Sequence, residues 1–296
     1  MMRSFLFVPG DSARKFEKAR QSEADALIID LEDSVAADAK TGARGIARSM
    51  LEAPRDAMKL FVRVNALDTG LTLADLAAVM PLRPDGIVLP KSEGGADIRQ
   101  LANYLDAFEA ANGGETGHTQ IIAVATETAD SIFGLSSYKG SSPRLWGLMW
   151  GAEDLAASLG AMTNAVDGIY SEPFRLARNL CLMASASAGI AAIDTVCTAI
   201  GDLSYVEDEA RAARRDGFQA KAVIHPSHLA PVNRAFTPAA DEVDWARRVI
   251  AAFAADPGAG VVTLDGKMVD KPHERAAQKI MAFAGHANGS SGEQRP

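Results

Sequence analysis

The sequence predicts an α/β protein, a TIM (β/α)8 barrel carrying a C-terminal helix–hairpin–helix extension. Three observations lead there. Eight short apolar runs recur along residues 1–236, with helical patterns between most of them. The runs are nearly continuous in apolar residues rather than alternating, as expected for parallel strands covered on both faces. Polar residues gather just where the runs stop, and barrel active sites sit at the C-terminal strand ends. A doubly wound open sheet is the alternative assembly of the same units, but no G-x-G-x-x-G follows the first run.

The first run is Ser4–Pro9, stopped by Gly10-Asp11-Ser12 and followed by a basic amphipathic segment, Ala13–Gln21. Ala26–Leu31 is the second and halts at Glu32-Asp33-Ser34. A helical pattern over Asp38–Glu52 is closed by Pro54, which cannot continue a helical hydrogen-bond ladder. Lys59–Val64 is the third run, with a short helix, Leu71–Met80, behind it. Gly86–Leu89 is the fourth and ends at Pro90-Lys91; Ala96–Asn112 is a long helical pattern. Gln120–Ala125 and Leu145–Trp150 are runs five and six, separated by a short loop after Glu127. Pro173–Gly189 reads as helix, with proline in its first turn and glycine at its end. Ala191–Val196 is run seven, Tyr205–Asp216 a charged helix, and Lys221–Ile224 run eight, ended by His225-Pro226. Residues 237–284 then read as helix (Asp241–Ala255), a hairpin over Gly260–Asp270 turning at Asp265-Gly266, and helix (Pro272–Ala284). The polar, glycine- and serine-rich stretch 285–296 is expected to be a disordered tail.

Composition narrows the partners. A chain of 296 residues, 48% apolar, supports one large core, and a closed α/β barrel commonly takes about 250 residues. A net charge of −8 disfavours nucleic acid and anionic membrane as partners. No apolar run of roughly 18 residues exists for a membrane span, and F-L-F-V near the start is too short for a signal segment. Cys181 and Cys197 lie in no C-x-x-C motif, so buried free thiols in a reducing cytoplasm are expected.

The strand ends carry the candidate chemistry. Glu127 follows run five and Asp154 follows run six, so on adjacent parallel strands the two carboxylates emerge at one rim. Mg²⁺ takes oxygen ligands and needs only one or two carboxylates beside water and substrate oxygens. The same acids are equally suited to capping the helices that follow them. Arg63, late in L-F-V-R-V-N, is costly inside a barrel unless paired. It reads as a cation for developing enolate or carboxylate charge, as an ion-pair partner of Glu32 or Asp33, or as both. Glu32 and Asp33 either bind metal themselves or, the favoured reading, orient Arg63 and metal-bound water; Asp30, inside the apolar run, has no obvious role. Lys91 either touches substrate or pairs with these acids. His225 and His228 form H-P-S-H, but no other histidine or cysteine sits at a matching spacing for zinc, leaving a loop histidine that orients substrate or packs on the rim. Lys221 begins its run and lies at the wrong rim for Schiff-base chemistry. Asp270 ends the hairpin, where a carboxylate can serve as acid or base on a flap or simply be solvated.

Eight segments occur in order: R-S-F-L-F-V-P-G (3–10), D-L-E-D-S (30–34), F-V-R-V-N (61–65), L-P-K (89–91), E-T (127–128), G-A-E-D-L (151–155), A-V-I-H-P (222–226) and D-G-K-M-V-D (265–270). Together they resemble the citrate lyase β-subunit-like family of the HpcH/HpaI aldolase superfamily. The resemblance implies a TIM barrel assembling as a homotrimer or a hexamer of two trimers. It implies Mg²⁺ on Glu127 and Asp154, Arg63 against the substrate carbonyl oxygen, and Asp270 delivered from a neighbouring subunit as the catalytic acid or base. Glu32 and Asp33 join Arg63 and Asp270 in the expected catalytic group. Arg14, Lys18, Pro90, Lys91 and His225 are expected to contact a CoA thioester. Family members make or break a C–C bond between acetyl-CoA or propionyl-CoA and a small α-keto acid. The retained hairpin and its aspartate point to a malyl-CoA or citramalyl-CoA lyase. A citrate lyase β-subunit acting on a carrier-bound thioester and a malyl-CoA thioesterase are the alternatives. One departure concerns the CoA phosphates. Asp11-Ser12 stand where members often carry a basic residue, with Arg14, Lys15 and Lys18 only slightly later.

Overall fold

The structure, a computed structural model, describes residues 2–54 and 58–289. Its strands are β1 (Ser4–Pro9), β2 (Ala26–Asp30), β3 (Lys59–Arg63), β4 (Gly86–Leu89), β5 (Gln120–Val124), β6 (Leu145–Met149), β7 (Ala165–Val166), β8 (Ile169–Tyr170), β9 (Ala191–Asp194), β10 (Ala220–Val223), β11 (Val261–Leu264) and β12 (Lys267–Asp270). Eight of them close into a parallel barrel in the order β1-β10-β9-β6-β5-β4-β3-β2. The predicted runs are those eight strands, and β1 and β4 keep their predicted limits.

The helices are α1 (Ala13–Arg20), α2 (Lys40–Glu52), α3 (Thr72–Val79), α4 (Gly95–Ala111), α5 (Ala129–Gly134), α6 (Glu153–Leu159), α7 (Glu172–Ala188), α8 (Leu203–Asp216), α9 (Leu229–Phe236), α10 (Ala240–Ala255) and α11 (Lys271–Gly289). Four elements have no counterpart in the expected pattern: α5, α6, the β7–β8 hairpin and α9. Each spans only two to eight residues, too few turns or pleats for a periodic signal.

Alternation along the strands sorts the core. Phe5, Ile28, Phe61, Val88, Ile122 and Ile193 share the barrel interior with their neighbours, the filled core of this architecture. Side chains two positions apart on a strand share a face, and adjacent ones take opposite faces. Asp30 and Arg63 share the inward parity of Ile28 and Phe61 and cap the core at the mouth. Asp194 and Lys221 have the opposite parity to Ile193 and Ala220 and face the surrounding helices.

By contacts the chain divides at Val232/Asn233. The C-terminal unit has its own core of Ala246, Val249, Phe253, Val269 and Ala277. Its hairpin turns at Asp265 (φ 50°) and Gly266 (φ 73°), both left-handed as a two-residue type I′ turn requires. Helix α11 runs to Gly289, past its expected end at Ala284 and into the expected disordered tail. The rest of that tail, 290–296, lies outside the described residues. Among the described residues no helix is long and apolar enough to cross a membrane.

Candidate functional site

The mouth of the barrel is built on Arg63. Its Nε and Nη2 donate to the two carboxylate oxygens of Asp30, each at 2.7 Å. The two residues are register partners on β2 and β3. Asp30 also accepts from the N–H groups of Glu32 (2.9 Å) and Ser34 (3.2 Å), an Asx-type turn that fixes the loop after β2. Burial works against the Asp30 charge, but the Arg63 bonds outweigh it and hold the carboxyl below its ordinary range. Arg63 Nη1 lies 2.9 Å from Glu32 Oε2, and the guanidinium carbon sits 5.0 Å from the centre of the Phe7 ring. Of its two expected partners Arg63 meets Glu32, and it adds Asp30. Asp33 is over half exposed, and its nearest cation is Lys91, 3.7 Å away.

Lys91 links the other acids. Its ammonium bonds to Glu32 Oε1 and stands 3.6 Å from Asp154 Oδ1. Its main-chain N–H donates to Glu127 Oε2 at 2.5 Å. Glu127 and Asp154 thus reach the two ends of one residue. Helix capping does not account for Glu127, because Thr128 caps α5 by accepting from Ser131 N at 3.1 Å. Asp154 does lie in the first turn of α6, where the helix end favours an anion. Glu127 is buried. That burial, with the charges of Asp154 and Glu32, pushes its carboxyl up to about 8 against the pull of the Lys91 N–H and Arg63. Burial also raises Glu32, although Arg63 and Lys91 oppose it.

Five carboxylates (Asp30, Glu32, Asp33, Glu127, Asp154) therefore share the mouth with two cations, Arg63 and Lys91. The donor set fits a hard divalent cation that keeps water ligands. Among the described residues no three His, Cys, Asp or Glu side chains converge as a full ligand cage, so water and substrate oxygens would complete the shell. Gly151 leaves room for Glu127: a Cβ there would lie 2.8 Å from Glu127 Cγ.

The remaining expected residues are dispersed. Arg14 and Lys18 are exposed on α1, Arg14 in the turn that opens the helix after β1. Pro90 is buried at the end of β4. His225 is half-buried, with Nδ1 2.7 Å from Ser227 Oγ. His228 is buried, and burial lowers its pKa. Lys221 is withdrawn from the mouth, its ammonium 2.7 Å from Asp194 Oδ2 behind the barrel wall. Asp270 belongs to the C-terminal unit, where its Oδ1 lies 2.5 Å from His273 Nδ1. That bond is the first cause of a lowered Asp270 pKa.

Sequence reasoning left two partners unassigned: Asp30, whose parity with Ile28 was the available signal, and His273, three residues beyond Asp270. A separate cavity of about 400 Å³ is lined by Tyr170, Cys197, Tyr205 and Glu209 and does not include Glu127, Asp154 or Arg63. Both cysteines are free and buried, as expected.

The family model for HpcH/HpaI aldolase/citrate lyase matches residues 3–226. The chain belongs to this family. Among aldolase/citrate lyase relatives, a (3S)-malyl-CoA thioesterase of Cereibacter sphaeroides is 35% identical over 95% of this chain and 94% of its own. The citrate lyase subunit beta of Escherichia coli is 37% identical over 95% of this chain and 93% of its own. A crystal structure of CitE from Mycobacterium tuberculosis, in complex with magnesium, acetoacetate and coenzyme A, superposes with a TM-score of 0.76 at 32% identity. That likeness covers 96% of this chain and 98% of the other.

Proposed function

We propose that the chain is a Mg²⁺-dependent carbon–carbon lyase that cleaves a 3-hydroxyacyl-CoA, such as malyl-CoA or citramalyl-CoA, into acetyl-CoA and an α-keto acid. The observation that carries this reading is Glu127, a buried carboxylate that caps no helix and shares with Asp154 a mouth rich in negative charge. Magnesium in the complex of the CitE relative supports the choice of metal.

Glu127 and Asp154 would hold the ion, whose chemistry when bound is Lewis-acid polarisation of the hydroxyl and keto oxygens. Arg63, fixed by Asp30 and Glu32, presents its charge to the thioester oxygen as the C–C bond gives its electrons to an enolate. The hydroxyl proton passes to water at the mouth, and Asp270 in its acid form supplies a proton to the enolate carbon, forming the methyl group of acetyl-CoA and leaving the Asp270 carboxylate. In a homotrimer or hexamer that carboxylate would come from a neighbouring subunit. Glu32 orients Arg63 and Lys91, Asp33 orients Lys91 and bound water, and Arg14, Lys18, Pro90, Lys91 and His225 contact the CoA ester. Asp270→Asn is expected to lower turnover by roughly 10²–10⁴-fold, the range of general acid–base catalysis, with Mg²⁺ binding intact by calorimetry. Normal turnover in that variant would remove Asp270 from the mechanism.

The Cereibacter relative favours a second reading, hydrolysis of malyl-CoA. The deciding assay offers the purified chain a panel of free CoA esters with and without Mg²⁺. Acetyl-CoA plus keto acid supports the lyase, and free malate plus CoA the thioesterase. A chain idle on every free ester rejects both in favour of a carrier-bound thioester.

A further inference from the structure

We infer that the main chain of Lys91, held in the left-handed region, positions Glu127 for metal binding, and that the Lys91 ammonium serves to keep that conformation. The inference rests on the proposed lyase function.

Lys91 has φ 50°, a conformation that residues with a Cβ avoid and glycine or asparagine accepts. It follows Pro90, and proline before a positive φ is the pattern of a type II turn, whose second central place favours Gly or Asn. A lysine there is a local misfit at the mouth of a barrel. Such misfits persist where the surroundings over-determine them, and they concentrate at functional sites.

The surroundings of Lys91 meet that condition at both ends. At the main-chain end, the N–H is aimed across the β4/β5 boundary at Glu127 Oε2, 2.5 Å away. At the other end, the ammonium bonds to Glu32, itself 2.9 Å from Arg63 Nη1. Glu127 is positioned by backbone on a second side as well, since only a glycine at 151 leaves space for its Cγ. Thr128 has already taken over the capping of α5. Rotating residue 91 out of the left-handed region would turn its N–H away from Glu127 and free that carboxylate to reorient. Lys91 is therefore a positioning residue, acting through a main-chain N–H that every substitution except proline keeps and that backbone preference moves.

The test is Mg²⁺ titration calorimetry on the full chain carrying Lys91→Gly, Lys91→Asn, Lys91→Ala or Lys91→Val, with the metal-free thermal midpoint of each. Gly and Asn should bind Mg²⁺ close to wild type. Ala should bind more weakly, and Val should lose roughly tenfold or more, the scale seen when an outer partner of a metal ligand is removed. Saturating Mg²⁺ should restore turnover of the Ala variant towards that of the Gly variant. If Val unfolds, the Gly–Ala difference carries the comparison. The four variants lack the ammonium equally, so one shared affinity would mean that charge alone matters and would overturn the inference while leaving the lyase reading intact. A wild-type chain that binds no Mg²⁺ would overturn both.

Discussion

Asp194 and Glu127 are both carboxylates buried in the barrel unit, and their surroundings are opposite. Asp194 accepts from Trp150 Nε1 at 2.7 Å, Lys221 Nζ at 2.7 Å and Arg178 Nε at 3.2 Å. Burial opposes its charge, but Lys221 and Arg178 outweigh it and leave its pKa lowered. Glu127 has a main-chain N–H as its hydrogen-bond donor among the described residues, and further negative charge from Asp154 and Glu32, so its pKa rises to about 8. Both are acids, and both are buried. Saturation differs: a carboxylate supplied with donors is a fastener, while one short of donors among other anions is receptive to a cation. Their places in the barrel also differ. Asp194 points out to the helices, and Glu127 lies at the end of the barrel.

Three measurements put this contrast at risk. The largest effect belongs to the wall. Among the described residues, Asp194→Ala leaves the buried Lys221 ammonium with Glu209, 3.5 Å away, and Arg178 with Asp216. Breaking a buried pair from one side typically costs about 3–5 kcal/mol, so denaturant unfolding should shift by that much. A change under about 1 kcal/mol would show the wall network to be as idle as a surface pair. Next is the mouth. Glu127→Gln should weaken Mg²⁺ binding by roughly a hundredfold or more, about 2.7 kcal/mol at about 1.36 kcal/mol per tenfold. Its metal-free thermal midpoint should hold or rise, because an acid whose ionisation burial and neighbouring anions oppose is replaced by a neutral amide of the same shape. A fall comparable to that of Asp194→Ala would erase the distinction between the two carboxylates.

The smallest effect is the acid limb of stability. Glu109, with its side chain 5% exposed, is bonded by Arg144 and by the N–H groups of Thr119 and Gly117. Burial opposes its charge, but these donors bring its pKa down to about 2. A carboxyl lowered on folding stabilises above its unfolded value, about 4.3, and that contribution fades as pH falls towards 2. The thermal midpoint of the wild type should therefore fall across this window more steeply than that of Glu109→Gln. Parallel curves would mean that Glu109 contributes no acid-sensitive stability.

The contrast also marks what could be read early. Each of the eight barrel runs is a local pattern of residues one to six positions apart, so the runs, including the limits of β1 and β4, follow from neighbours in the chain. The Asp265-Gly266 turn is equally local, because two left-handed residues in succession permit little else. These features, with the match of residues 3–226 to the aldolase/citrate lyase family, belong to the sequence itself. The short α5, α6, α9 and β7–β8 escaped because each offers too few repeats to outweigh chance.

Charge pairing was decided by the tertiary structure. Arg63 had Glu32 and Asp33 as evident partners, yet its bidentate partner is Asp30, thirty-three positions away in the chain. Strand register set that pairing by bringing Asp30 opposite Arg63 with both side chains on the inner face. The Lys91 N–H meets Glu127 across thirty-six positions for a similar reason: two turns at neighbouring strand ends aim one at the other. Local pattern fixes which way a side chain points along its own strand. Which charges it meets there depends on how the strands are staggered, and that is settled only when the barrel closes.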